Sequence, residues 1–149
     1  MKALIQRVRS ASVSVDGAVT GQIDHGLLVF LGVCDADDAS VADKLLKKLV
    51  NLRIFADEAG KTNLSVLDVS GQILLISQFT LYANCKKGNR PSFIDAGSPA
   101  HAELLYRYAL DRLNNEYRIH TEAGVFGAHM DVQLLNDGPF TIMLDTAEL

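Results

Sequence analysis

Two short segments carry hydrogen-bonding groups where the surrounding pattern calls for apolar ones. The first is Ser77-Gln78-Phe79-Thr80, which follows Ile73-Leu74-Leu75-Ile76. Three hydrogen-bonding side chains in four positions are costly if buried without partners, so the segment either runs to a wet edge or receives something that docks. Strand alternation places Gln78 and Thr80 on one face, where they share a polar pocket, and sends Phe79 to the other as a core anchor. Ser77 joins the pocket only through its backbone or across a bulge. The second segment is Asn136-Asp137-Gly138-Pro139, set between two apolar strands and readable as a hairpin turn whose proline opens the outgoing strand. Taken singly, each has a plain structural reading, a strand end and a turn.

Other chemistry is sparse. His25, His101, His120 and His129 follow no metal-ligand spacing, and Cys34 and Cys85 stand far apart, so neither a metal nor a disulfide is expected. No nucleophile elbow and no phosphate-binding glycine loop occurs, and no pair of carboxylates is spaced for acid/base work. A conventional hydrolytic triad is therefore not expected, and no cofactor is implied.

The elements that must hold the two segments read as follows. Residues 3–15 alternate as a strand, Asp16-Gly17 turns into a second strand over 18–23, and Leu27–Leu31 is apolar on both faces, as a central strand requires. Residues 40–52 carry a helical stripe of Val41, Leu45, Leu46, Leu49 and Leu52, with Asp37, Asp38 or Ser40 to cap it. Ser98-Pro99 opens a second helix with Leu104, Leu105, Tyr108 and Ala109 on its inner face. Strands are expected near 53–55, from Gln72, near 118–122, at 130–136 and at 140–145. The order β-β-β-α-β-β-α-β-β-β predicts an α/β fold: one mixed-sheet domain over 1–149, layered β/β/α, with both helices packed on one side.

The 149 residues suit a single domain that buries enough surface to need no staple. The opening MKALIQRVRSASVSVDG lacks the continuous apolar stretch of a signal peptide, and no run is long enough for a membrane helix, so a cytoplasmic protein without membrane contact is expected. The net charge is −4, and Lys86, Lys87 and Arg90 form a tight basic cluster in the loop after the first motif. By charge alone a nucleic-acid partner is disfavoured, and one that binds must be gripped locally.

Taken together the segments say more. S-Q-F-T at 77–80 and N-D-G-P-F-T at 136–141 occur with MKALIQRVRSASVSVDG at the start, NLRIFADEAGKTNLS (51–65), GNRPSF (88–93) and GVFGAHM (124–130), in order and at matching spacing. This pattern resembles the D-aminoacyl-tRNA deacylases over essentially the whole chain. One departure is Thr62, in Lys61-Thr62-Asn63, where most relatives have methionine; if that position lines the pocket, Thr62 makes it more polar.

The resemblance implies a hydrolase that cleaves the ester joining a D-amino acid to the 3′ end of tRNA, working as a homodimer with sites at the subunit interface. It implies that Ser77, Gln78, Phe79 and Thr80 of one chain meet Gly138 and Pro139 of the other. The Gly138–Pro139 bond is then cis, with carbonyl oxygens facing the substrate's Cα, and it selects by excluding the L side chain. Glycine has no side chain to exclude, so glycyl-tRNA, including Gly-tRNA(Ala), is an expected second substrate. Arg7, Met130, Asn136 and Thr141 lie in the matching blocks as supporting residues, Arg7 bracing the proline loop. Lys86, Lys87 and Arg90 are placed by proximity to meet tRNA phosphates. Thr80 is a weak nucleophile without a neighbouring base, which favours activation by the substrate's own 2′-hydroxyl with backbone N–H donors at Phe79 and Thr80. Two rival readings are an esterase for small D-amino-acid esters and a non-catalytic module that binds the tRNA acceptor end.

Overall fold

The computed structural model describes residues 1–149. The alternating N-terminal segment forms β1 (Lys2–Val15), and Asp16 and Gly17 turn it into β2 (Ala18–Ile23) with φ of 51° and 79°. Positive φ at both central residues matches the right-handed twist of the flanking strands. β3 (Gly26–Gly32) lies between β1, antiparallel to it, and β6 (Gln72–Ser77), parallel to it, which accounts for its apolar character on both faces. α1 (Ala39–Val50) starts at Asp38, whose carboxylate accepts from the Val41 N–H and is held below its ordinary pKa chiefly by that bond. β4 (Phe55–Ala56) and β5 (Thr62–Leu64) form a small separate hairpin. α2 (Pro99–Asp111) continues into a π-helical turn, Arg112–Glu116, before β7 (Thr121–Ala123) and β8 (Asp131–Asp145).

The main sheet has the order β2-β1-β3-β6-β7, with β8 along β1's other edge. It wraps until β2 and β7 nearly meet. A Cβ at Gly21 would lie 2.8 Å from the Ala123 carbonyl oxygen, so a residue without a side chain is what lets the sheet close there. Two apolar layers follow. Leu28, Leu74, Ile76, Ile23, Val8 and Val13 fill the inside of the wrap. Ile5, Val29, Ile73 and Leu75 face outward against Leu45, Leu46 and Leu49 of α1 and Leu105 and Ala109 of α2. Strand β1 serves both layers because its pairing with β8 shifts register between Gln6 and Val8 and again between Val8 and Ser10. The result is the expected β/β/α layering with both helices on one face.

Three expectations are corrected. The 136–139 segment is not a hairpin turn, because Asp131–Asn136 and Thr141–Asp145 both run antiparallel to β1 in one continuous strand. Val8 faces Asn136 and Gln6 faces Thr141, so Asp137 to Phe140 bulge out opposite Arg7 alone. The added hairpin and the merged last strand change the order to β-β-β-α-β-β-β-α-β-β. In α2, Leu104 is 63% exposed and Tyr106 takes the buried place, its ring covered while its hydroxyl donates to the Leu75 carbonyl at 2.8 Å. A tyrosine is admitted to the layer because that bond satisfies its polar end.

Candidate active site

Strand β6 stops at Ser77 although its parallel pairing reaches one residue further, Gln78 N–H donating to the Leu31 carbonyl at 2.8 Å. The chain then coils into a 3₁₀ turn, Phe79–Tyr82, closed by Leu81 N–H to the Gln78 carbonyl and Ala83 N–H to the Thr80 carbonyl. Alternation therefore ends before it sends Phe79 inward. Phe79 is 56% exposed, its ring meeting Phe93 edge to face at 5.0 Å. The expected core anchor is instead a wall, because tightening to about three residues per turn rotates the side chain off the strand's inner face.

That wall bounds a cleft of about 580 Å³. Ser77, Gln78 and Phe79 line it together, so the turn brings Ser77 to the same surface as its neighbours. Leu31 and Val33 come from the end of β3, Pro99, Ala102 and Tyr106 from the start of α2, and the segment 126–130 supplies Phe126, His129 and Met130. Most of the lining is apolar, with a few polar side chains, Ser77, Gln78 and His129, the usual composition of a small-molecule site. Burial pushes the Tyr106 phenol up to about 12, so it stays neutral at physiological pH.

Thr80 stands next to the cleft, and its hydroxyl accepts a hydrogen bond from the Gln78 side-chain amide at 2.5 Å. That amide is a donor and cannot take the threonine proton. No histidine, lysine or carboxylate bonds Thr80. The amides of Phe79 and Thr80 head the turn, where a helical ladder has no acceptor for them, and neither enters the turn's own backbone bonds.

The second motif is fastened elsewhere. Arg7 donates from Nε to the Asp137 carbonyl at 2.9 Å and from Nη1 to the Ile54 carbonyl, and lies 3.4 Å from the Asp137 carboxylate. Its guanidinium also covers the Phe140 ring at 4.7 Å. Asn136 closes the bulge from within, accepting from Phe140 N–H at 2.9 Å and donating to the Phe140 carbonyl at 3.2 Å. Gln6 donates to the Thr141 hydroxyl at 3.2 Å. The Gly138–Pro139 peptide bond is cis, and both residues are exposed at the crest. None of Arg7, Asn136, Gly138, Pro139 and Thr141 lines the cleft, whereas Met130 does. Within one chain the two motifs are thus held on separate surfaces.

Thr62 is exposed on β5 and does not line the cleft either. The sequence reading left out Tyr106, Phe93, Phe126 and His129 as cleft residues. Phe93 and Phe126 stood inside the matching GNRPSF and GVFGAHM blocks, while Tyr106 gave no signal beyond being aromatic on a helix. His129, read as a surface histidine, is almost fully exposed at the rim. No cluster of three or more His, Cys, Asp or Glu side chains is gathered to hold a metal.

A wrapped mixed sheet backed by two helices, with a largely apolar cleft at the end of its central parallel pair, defines a single-domain α/β protein with a cleft of small-molecule size. Residues 4–145 match the pattern of the D-Tyr-tRNA(Tyr) deacylase family. D-aminoacyl-tRNA deacylases of Thermosipho melanesiensis and Bacillus cereus are 51% and 50% identical over 149 residues, covering 100% and 98% of this chain and 99% of each relative. Among solved structures, a c-Myc DNA unwinding element binding protein superposes with a TM-score of 0.92 at 42% identity over 97% of this chain and 98% of the other. A probable eukaryotic D-amino acid tRNA deacylase shares the fold, with a TM-score of 0.78 at 16% identity over 96% and 97%. The chain belongs to the D-Tyr-tRNA(Tyr) deacylase family, and it is an enzyme, a hydrolase.

Proposed function

We propose that this hydrolase cleaves the ester of D-aminoacyl-tRNA, releasing the D-amino acid and free tRNA as a proofreading step in the cytoplasm. In this reading it works as a homodimer, the Gly138–Pro139 bulge of each chain closing the cleft of the other. The observation that carries the reading is the separation of the two motifs: a cleft whose lining holds Ser77, Gln78 and Phe79, and an exposed, braced crest that does not line it. A second copy supplies to each what the first lacks.

D and L substrates contain the same atoms, so apolar burial does not separate them; an obstacle placed where the L side chain would project does. Main chain suits that task, being stiffer than a side chain and, at a glycine, able to come close to Cα. Arg7 and Asn136 support this role by tying both flanks of the bulge. The same device passes glycine, so glycyl-tRNA, including Gly-tRNA(Ala), is a further substrate.

For the chemistry, water attacks the ester carbonyl, the oxyanion is stabilised by the Phe79 and Thr80 amides, and the ribose oxygen leaves with a proton. The substrate's vicinal 2′-hydroxyl handles that proton, since Thr80 is bonded to an amide donor and not to a base. The protein's contribution is placement, which is worth several orders of magnitude when the geometry is held.

The deciding experiment compares single-turnover hydrolysis of D-Tyr-tRNA, L-Tyr-tRNA and D-tyrosine methyl ester, with a D-Tyr-tRNA ending in 2′-deoxyadenosine as a fourth substrate. Rapid cleavage of the first alone supports the reading. Equal rates on the L form end the chirality argument, a tRNA-independent rate points to a small-ester esterase, and binding without cleavage points to a recognition module. Full activity on the deoxy substrate removes the 2′-hydroxyl from the mechanism.

A further inference from the structure

A second, smaller hollow of about 230 Å³ opens at the far end of the same 3₁₀ turn, lined by Lys2, Tyr82, Asn84, Cys85, Lys86 and Asp95. We propose that this hollow and the loop beyond it hold successive backbone phosphates of the single-stranded 3′ end of the RNA, one to each free cation, an inference that rests on the tRNA reading above. Phe79 borders the cleft and Tyr82 borders the hollow. Three residues of 3₁₀ helix separate them by about 6 Å, within the span of one nucleotide linkage.

The charges point the same way. The chain as a whole carries −4. Yet Lys86, Lys87 and Arg90 are exposed on the loop at this hollow and make no ion pair, a state they share with Lys44, Lys47, Lys48, Arg53, Lys61 and Arg118 elsewhere, so it is their place beside the hollow that matters. Of the cations at the hollow, Lys2 is paired with Asp145 at 3.7 Å and lies over the Tyr82 ring. Asp95 is the opposing carboxylate, and the Asn84 side-chain amide donates to it at 3.3 Å. Three unpaired cations against one carboxylate leave a local positive excess on an acidic protein.

The loop is also tied down, so its cations are presented and not merely tethered. Asn84 and Ser92 exchange backbone bonds of 2.8 and 3.0 Å, and the Lys86 N–H is held by the Asn84 side chain at 3.1 Å. A polyanion that enters the cleft by its last nucleotide must carry its next phosphates past this rim. An acidic protein surface would meet the same cations and is the outcome to distinguish.

The test compares wild type with Lys86→Ala/Lys87→Ala/Arg90→Ala on D-Tyr-tRNA and on 3′-D-tyrosyl-adenosine, which has no phosphate. Each lost contact to a single strand removes about 0.7 from the salt slope, so the triple variant should lose about 2 units of slope. Its KM for tRNA at 0.15 M salt should rise on the order of fifty-fold. Its kcat, and its rate on the adenosine ester, should not change. In unmutated protein, deacylated tRNA should slow maleimide labelling of exposed Cys85, followed by mass spectrometry, whether or not the variant folds. The inference is overturned if wild type cleaves D-Tyr-tRNA while the variant keeps its KM and slope, if the loss is equal on the adenosine ester, or if tRNA leaves Cys85 reactivity unchanged. Wild type that cleaves the adenosine ester but no D-aminoacyl-tRNA would instead sink the functional reading itself.

Discussion

The two polar segments of this chain are built in opposite ways. Ser77–Tyr82 is concave: a strand end curls into a short turn, and Ser77, Gln78 and Phe79 face a cleft lined also by α2 and by residues 126–130. Asp137–Phe140 is convex: four residues loop out of β8 opposite one residue of β1, with side chains from below pinning their flanks. The first has space and donors but an open side; the second has rigidity and exposure but no space. On the proposed reading, the crest of one copy meets the cleft of another. Leu135 and Met143, large apolar side chains exposed on the same strand as the crest, fit that use.

The most severe way to break the crest is Gly138→Ala. A Cβ there would lie 2.4 Å from Phe140 N, so the main chain must move, and a displacement of about 1 Å at a positioning element costs on the order of a hundred-fold in rate. D-Tyr-tRNA hydrolysis should fall accordingly. Mixing this variant with Gln78→Ala, a cleft variant, should return about a quarter of wild-type activity, since half the dimers then hold one intact site of two. No recovery on mixing would show that crest and cleft do not serve one another across subunits.

Next in size is Arg7→Ala. Its guanidinium side chain is 14% exposed and serves two carbonyls and a carboxylate. Losing it should cost about 2–3 kcal/mol, read as a melting temperature lower by roughly 4–12 °C. On the cleft side, Tyr106→Phe should cost about 1 kcal/mol at neutral pH by removing one bond to the Leu75 carbonyl. It also has a pH signature. Because burial pushes the Tyr106 phenol up to about 12, the unfolded chain, near 10, loses its proton first. Stability should therefore be level below about pH 10 and fall between about 10 and 12, and the variant should fall less steeply over that window. Tyr82, also raised by burial, leaves part of the decline in place. The smallest effect is expected from Thr80→Ala, a loss of only a few-fold in single-turnover rate. Abolished activity there would return the hydroxyl to the centre of the mechanism.

Much of this was readable in the chain itself. The period-two alternation of β1 and β2, the Asp16-Gly17 turn, the two-sided apolar run of β3 and the stripe of α1 are local patterns, and local patterns report which face of an element meets the core. The spacing of S-Q-F-T and N-D-G-P-F-T, with the blocks between them, carried the family. Three features depended on contacts distant in sequence. Phe79 left the core because β6 ends against Leu31 and the chain coils there; Tyr106 replaced Leu104 inside because its hydroxyl reaches the Leu75 carbonyl, which accepts from Gly124 N–H as well. Residues 137–140 became a bulge because β1 pairs with both flanks, Asn136 and Thr141, and no pattern within 136–141 separates a bulge from a hairpin. Alternation and propensity act over one turn or one strand and so are written in the sequence, whereas the register between strands 130 residues apart in the chain is settled only when the whole sheet has closed.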